Sequence, residues 1–494
     1  LKAIEFHERS LKIAQDIKNR LGEGAALGNL GAAYSSMGDY LKAIEFHERS
    51  LKIAQDIKDR NGEGIALGNL GLAYQELGDY PKAIEFHERR LKIAQDIKSR
   101  EGEGDALNNL GAAYHSMGNY AKTIEYYERS LKIAQDIKNR SEEGQSLGDL
   151  GAVYQALGNY PKAIEYSQKA LKIAQDIKSR KREVYVLNNL GAAYSSMENY
   201  PKTIDYYERS LKIAQDIKSR KGEVSVLNNL SLTYYSIGDY PKAIESLQRS
   251  LKISQEIKNR KGEVNALNNL SLAYYSIGDY PKAIEPLQRS LKIAQDIKDS
   301  EGEGKVLNNL GATYYKQGNF QLAESSLFQG VKVLESLRGG LKDNHQITIF
   351  EEQSRTYRTL QQVLIAQNKS DAALEIAERG RARAFVELLA SKLSDNPNEQ
   401  LSTQPNIEQI KQIAKLQNAT LVQYSIVDDE LKVEGKRQVK ESKLYIWVVK
   451  PTDEIVFKQV DLTSINKSLK ELVISARDSM GVRGSNMFDV AVVT

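Results

Sequence analysis

Between residues 22 and 61 the apolar positions fall into two helical stripes separated by a glycine. In GEGAALGNLGAAYSSMG, Leu27, Leu30, Gly31 and Tyr34 share one face of a 3.6-residue period. Gly38 follows where a left-handed residue ends a helix without steric penalty. Asp39 and Tyr40 lead into a second amphipathic stretch whose apolar set is Ala43, Ile44, Leu51, Ile53, Ala54 and Ile57. Five copies place a proline early in it (Pro81, Pro161, Pro201, Pro241, Pro281), which a first helical turn tolerates because that N–H has no helical partner. The Arg-x-Gly-Glu segment near 60–63 is expected to end the unit. The pattern predicts a helix, a turn and a second helix.

The unit recurs every 40 residues: LKIAQDIK stands at 11–18, 51–58, 91–98, 131–138, 171–178, 211–218 and 291–298, with LKISQEIK at 251–258. A pair of this kind cannot bury both faces alone. Stacked copies bury a continuous core, and stability becomes a sum of units and nearest-neighbour interfaces. Eight full pairs are expected from 22 to 338, and 1–21 reads as the second helix of a truncated repeat. The chain opens on Leu1 rather than Met, so the absence of a signal peptide carries little weight.

L-x2-L-G-x2-Y followed by Ala43 resembles the tetratricopeptide repeat, with Leu27 where that motif prefers Trp. The motif's later aromatic varies (His47, His87, Tyr127, Ser167, Tyr207, Leu247, Leu287, Leu327), and its closing proline is absent. The period exceeds the family's roughly 34 residues, which predicts a second helix about two turns longer. Repeats with LNNL in the first helix are similar to those of kinesin light chains and LGN-type spindle adaptors. The resemblance implies a mainly α fold: a right-handed α-solenoid of tetratricopeptide helix pairs, followed by a partial α/β domain. It also implies a concave groove lined by the first helices, taking a protein or peptide segment.

After Phe320 the repetition decays. ITIFEEQSRTYRTLQQVLIAQ (346–366) and DAALEIAERGRARAFVELLASKL (371–393) read as a degenerate capping pair within 339–393. A polar linker, 394–406, precedes an incomplete α/β domain at 407–494. There a short helix (407–417), strand-like runs at 419–427, 443–450 and 454–460, and a helix at 464–481 are expected. AERGRARAFVELLASKL, TLVQYSIVDDELKV and LYIWVVKP resemble the opening of a CHAT domain, a caspase-like fold found behind such repeats in bacteria. That family carries a His–Cys dyad later in the domain. This sequence has no cysteine and its last histidine is His345, so no dyad residue is carried over.

Candidate binding residues lie on the first helices. Asn29, Asn69, Asn109, Asn189, Asn229, Asn269 and Asn309 occupy one equivalent position, with Asp149 as the exception. At 100° per residue the position points about 150° away from the Leu–Leu–Tyr stripe. An amide there offers a donor and an acceptor to the backbone of an extended peptide. Faithful duplication explains the same regularity, since Lys12 and Lys52 recur as steadily. The residue after the motif tyrosine changes from Ser35, Gln75, His115, Gln155 and Ser195 to Tyr235, Tyr275 and Tyr315. These tyrosines are either binding anchors or packing against a neighbouring helix.

The rest of the composition removes alternatives. A net charge of +4 over 494 residues leaves no footprint for nucleic acid or membrane, and no run of about 18 apolar residues occurs. His7, His47 and His87 read as packing residues without metal-ligand spacing. Glu45–Arg49 and Lys52–Asp56 are expected as surface pairs along the second helix. Arg379, Arg381 and Arg383 sit beside Glu375, Glu378 and Glu387, which favours a joint between the repeats and the α/β domain over a nucleic-acid patch. No phosphate loop, catalytic triad, metal cluster or cofactor motif is present, and no small-molecule substrate is expected. The leading expectation is a cytoplasmic peptide- or protein-binding scaffold coupled to a CHAT-like module. The alternatives are the regulatory part of a caspase-like cysteine peptidase whose His and Cys lie beyond Thr494, and a structural spacer.

Overall fold

The computed structural model describes residues 2–337, 343–380, 406–433, 436–463 and 471; for 343–353 and 428–440 it describes the backbone alone. A helix α1 (Lys2–Asp16) precedes eight helix pairs. The first helices are α2 (Arg20–Ser36), α4 (Arg60–Glu76), α6 (Arg100–Ser116), α8 (Arg140–Ala156), α10 (Arg180–Ser196), α12 (Arg220–Ser236), α14 (Arg260–Ser276) and α16 (Ser300–Gln317). The second helices are α3 (Tyr40–Asp56), α5 (Tyr80–Asp96), α7 (Tyr120–Asp136), α9 (Tyr160–Asp176), α11 (Tyr200–Asp216), α13 (Tyr240–Glu256), α15 (Tyr280–Asp296) and α17 (Phe320–Ser336). The chain divides into two compact units, Leu1–Tyr234 with Glu245–Lys258, and Tyr235–Ile244 with Asn259–Thr494.

The 40-residue period is closed differently from the sequence expectation. Both helices of a pair are 17 residues long, so the second is not selectively lengthened. Arg-x-Gly-Glu does not end a unit; Arg60 opens α4, and Asp59 caps it by accepting the Gly62 N–H at 2.9 Å. Asn19, Ser99, Asn139 and Asp299 cap their helices the same way. The first-helix stop is Gly38, at φ +80°. The second-helix stop is a lysine in the left-handed region, from Lys18 at φ 55° to Lys298 at φ 56°.

The face joining the helices of a pair is set by the motif glycine. A Cβ added to Gly31 would lie 2.5 Å from His47 Cε1, and one on Gly111 would lie 2.5 Å from Tyr127 Cδ1. The variable aromatic of the motif is therefore the knob that rests on this glycine. Leu27, Leu30, Leu67, Leu70, Leu107, Leu110, Leu187 and Leu190 are sealed beneath the knobs as the core row.

The repeated polar letters staple helices both within and between pairs. Gln55 of α3 donates to Glu63 of α4 at 3.1 Å, Arg60 donates to Glu63 at 2.6 Å, and Arg60 reaches Asp96 of α5 at 2.9 Å. Arg20 binds Asp56 in the same way at 3.1 Å, so Asp56 is held across helices rather than by Lys52 along its own. Arg49 does approach Glu45, at 4.0 Å. Exposed pairs of this kind contribute little singly; their repetition fixes register between units.

In the second unit, α17 is followed by α18 (Asp343–Ala366) and by α19, described over 370–380. Arg379 grips Glu335 of α17 with two bonds of 3.0 and 2.6 Å, so it ties the capping helix α19 to the last repeat and not the repeats to the α/β domain. Arg381, Arg383, most of the 394–406 linker and all but Glu471 of the expected 464–481 helix lie outside the described residues. A capped helix α20 (Ile407–Leu416) leads to β1 (Leu421–Val433), β2 (Lys436–Val449) and β3 (Ile455–Asp461), an antiparallel sheet of order β1-β2-β3. The first two strands run further than their apolar cores predict, because 428–433 and 436–441 pair as a hairpin arm beyond an irregularity at Val427/Asp428. Tyr445, Trp447 and Val449 join Tyr357, Leu360 and Leu374 of α18 and α19 in one core. Trp447 Nε1 donates to the Ser370 carbonyl at 2.9 Å.

Candidate functional site

First helices of consecutive pairs touch one another, as α8 touches α10 and α14 touches α16. This contact decides what the candidate asparagines do. Asn189 Nδ2 donates to the Gly148 carbonyl of the preceding first helix at 3.3 Å, and Asn309 Nδ2 donates to Asn268 Oδ1 at 2.8 Å. Both amides stitch neighbouring repeats. The side chains of Asn109, Asn229 and Asn269 are half-buried and make no hydrogen bond to protein among the described residues. Their donors and acceptors face solvent on the same helix position.

One locus departs from the repeat. Where other copies have asparagine, α8 carries Asp149, and the Tyr185 hydroxyl of α10 donates to it at 3.0 Å. Burial pushes the Asp149 carboxyl up to about 6, opposed by the Tyr185 hydrogen bond and by the Arg182 charge. Arg182 stands where most copies have glycine and donates to the Ser141 carbonyl and, at 3.3 Å, to the Ser141 hydroxyl. Glu142, also at a glycine position, takes the Asn139 amide at 2.8 Å, while its Oε2 is sealed without a partner. Burial, then Asp105 and Glu101, raise its pKa. Asp105 itself is held by Arg90 at 2.8 Å. The charged departures of α5, α6, α8 and α10 thus converge on one another. Sequence reading missed them because contacts between residues 15 to 41 apart depend on how repeats stack; the signal present was several non-consensus residues crowding into consecutive copies.

The three tyrosines pack within their own repeats. Tyr235 lies edge-on to Tyr240 at 5.6 Å and its hydroxyl shares a 2.9 Å hydrogen bond with Ser276; Tyr275 meets Tyr280 at 5.4 Å, and Tyr315 meets Phe320 at 5.9 Å. All three rings are half-buried. In the first five repeats a different pair is built. Tyr34 stacks on Phe46 at 5.3 Å with Lys42 and Arg49 over the rings, a pattern that continues to Tyr194 and Tyr206. Ser246, Pro286 and Ser326 occupy the Phe46 position in the last three pairs. There the second aromatic has moved to the residue after the motif tyrosine.

Two of the histidines serve as knobs. His47 and His87 are buried 40 positions apart over Gly31 and Gly71, and no group of three potential ligands occurs among the described residues. No catalytic constellation is present among them either, and no described helix is long and apolar enough to cross a membrane.

Paired helices of constant length, a glycine under each aromatic knob and a first-helix face with unsatisfied amides define a helical-repeat interaction array. The tetratricopeptide repeat family pattern matches residues 1–56, 25–96, 103–176, 183–256 and 262–336, so the chain belongs to the tetratricopeptide repeat family. Arrays of this family are typically protein-binding scaffolds. Tetratricopeptide repeat protein 28 of Homo sapiens is 28% identical over 150 residues, 29% of this chain and 6% of that protein. The Mus musculus protein of the same name is 31% identical over 86 residues, 17% of this chain and 4% of its own length. The chain therefore spans a small part of these relatives. A Pyrococcus horikoshii signal transduction ATPase with a tetratricopeptide repeat sensor shares the fold at a TM-score of 0.53 and 16% identity, over 74% of this chain and 54% of that one.

Proposed function

We propose that this chain is a scaffold that holds an extended peptide or protein segment along the first-helix face. In the first unit Asn109 and Asn229 address a ligand's backbone beside Asn189, which keeps neighbouring first helices in register; in the second unit Asn269 does so beside Asn309. Tyr235, Tyr275 and Tyr315 present half-exposed ring area to the ligand's side chains. The observation that carries the reading is the set of half-buried amides without protein partners, because such groups gain most from a ligand that completes them.

We read 407–494 as the opening of a CHAT-like module that uses or reports this binding. The order of α20 and the three strands after the capping helices supports it. The peptidase reading keeps the same groove and assigns it recruitment of substrate or regulator. We place the protein in the cytoplasm.

The test is a peptide selected from a random display library on the whole chain, then mapped by photo-crosslinking. A benzoyl-phenylalanine at Asn109 should capture the peptide, and one at Lys132 on the second helix should not. Equal capture at both sites, or capture at Lys132 alone, contradicts the reading.

A further inference from the structure

The second helices carry histidine at the knob position in α1, α3 and α5 and nowhere later; the series continues Tyr127, Ser167, Tyr207, Leu247, Leu287 and Leu327. His47 is 1% exposed and His87 0%. Each ring rests on the motif glycine of its partner helix, where an added Cβ would lie 2.5 Å from His47 Cε1 or 2.4 Å from His87 Cε1. Nδ1 of His47 and both nitrogens of His87 are sealed from solvent without a hydrogen-bond partner. A proton on either ring adds a charge and a donor in a place that supplies no acceptor.

We propose that His47 and His87 make α2 to α5 an acid-sensitive end of the array, which opens when either ring is protonated while later pairs stay closed. No neighbour offsets the charge. The carboxylates that α2, α4 and α6 direct toward neighbouring second helices are already held: Glu23, Glu63 and Glu103 by Arg20, Arg60 and Arg100, Asp105 by Arg90, and Glu76 by the Tyr40 hydroxyl. Arg90, one turn along α5, acts on His87 against protonation, and Gly31 and Gly71 face the rings from the partner helices.

Burial holds both rings at about 4, against 6.5 for an exposed imidazole. The opened state therefore takes the proton first. Protection is complete above about pH 6.5 and falls as pH drops toward about 4. At about pH 5 each ring should raise the opening equilibrium of its pair about 30-fold. Because damage in a linear array stays local, pairs without a buried histidine supply the control within the same molecule.

The experiment is hydrogen exchange on the whole chain at about pH 7.5 and about pH 5, corrected for the intrinsic pH dependence of exchange. Amides of α2 to α5 should lose about 30-fold in protection or more relative to α14 and α15, which hold neither a buried histidine nor the carboxylates of raised pKa, Glu142 and Asp149. In His47→Leu/His87→Leu the selective loss should vanish, leucine being what the array itself places over Gly311. His47→Tyr/His87→Tyr, which copies the seating of Tyr127 over Gly111, repeats the test should the leucine variant fold poorly. No selective loss in the parent, or the same loss in a folded double variant, overturns the proposal.

Discussion

Two glycines one turn apart in α2 should respond oppositely to the same substitution. Gly28 and Gly31 both lie inside the helix, so replacing either by alanine gains about 1 kcal/mol of helix propensity. Their surroundings differ. A Cβ on Gly28 meets Ser50 Oγ at 3.5 Å, an ordinary contact. A Cβ on Gly31 comes within 2.5 to 2.7 Å of three atoms of the His47 ring. That ring is buried and cannot retreat without moving α3 or its own rotamer, and overpacking of this kind costs about 1–3 kcal/mol. The propensity gain cancels between the variants, leaving Gly31→Ala less stable than Gly28→Ala by about 1–3 kcal/mol. A long array does not unfold as one two-state transition. The assay is therefore native-state hydrogen exchange of amides in α2 and α3, read as local opening free energy. Gly28→Ala should match or exceed the parent, and Gly31→Ala should fall below it. Equal protection in both variants would refute the claim that the motif glycine exists to seat the knob.

Other consequences are as direct. Leu187 is 1% exposed, so Leu187→Ala should cost about 2–5 kcal/mol and speed exchange in α9 to α11 far more than in α2 to α5. Glu198 stands at φ 55° where other first helices end on glycine; Glu198→Gly should stabilise its pair by about 0.5–1 kcal/mol, seen as slower exchange in α10 and α11. Asp149 has a folded pKa raised to about 6 from 3.8, so the folded state holds the proton more tightly and local stability falls as pH rises from about 4 to about 6. Asp149→Asn should remove that slope and stabilise α8 and α10 near neutral pH by about 3 kcal/mol, measured by exchange across the same pH range.

Most of the array was legible because two helical stripes were written into every copy and a glycine stop into all but the one that carries Glu198. What escaped was written between copies. Asn19, Asp59 and Ser99 marked the true helix starts, but the glycines after them read as a break. Lysine at the second-helix stop gives no sequence signal, since only the backbone shows that Lys58 adopts φ 60°. Pairing Lys52 with Asp56 followed from helical spacing, whereas Arg20 wins Asp56 from 36 residues away because α2 and α3 fold against each other. The candidate asparagines share one helix position, yet their roles split according to what the preceding first helix offers. Gly148 leaves a carbonyl open to Asn189, and Asn268 offers an oxygen to Asn309. The hairpin arm of β1 and β2 was hidden because DDELKV and KRQVKE are mostly charged or polar.

The central claim is that free first-helix amides grip a ligand's backbone, and one titration tests it most directly. A library-selected peptide is titrated calorimetrically into the parent and into Asn109→Ala/Asn229→Ala/Asn269→Ala, with circular dichroism confirming equal helicity. Each lost hydrogen bond is worth about 0.5–1.5 kcal/mol, so the triple variant should bind about 30- to 1000-fold more weakly. Changing Lys172, Lys212 and Lys252 together to alanine should leave affinity within a few-fold of the parent. Undiminished binding by the folded asparagine variant would mean that the amides are relics of duplication and that the ligand sits elsewhere.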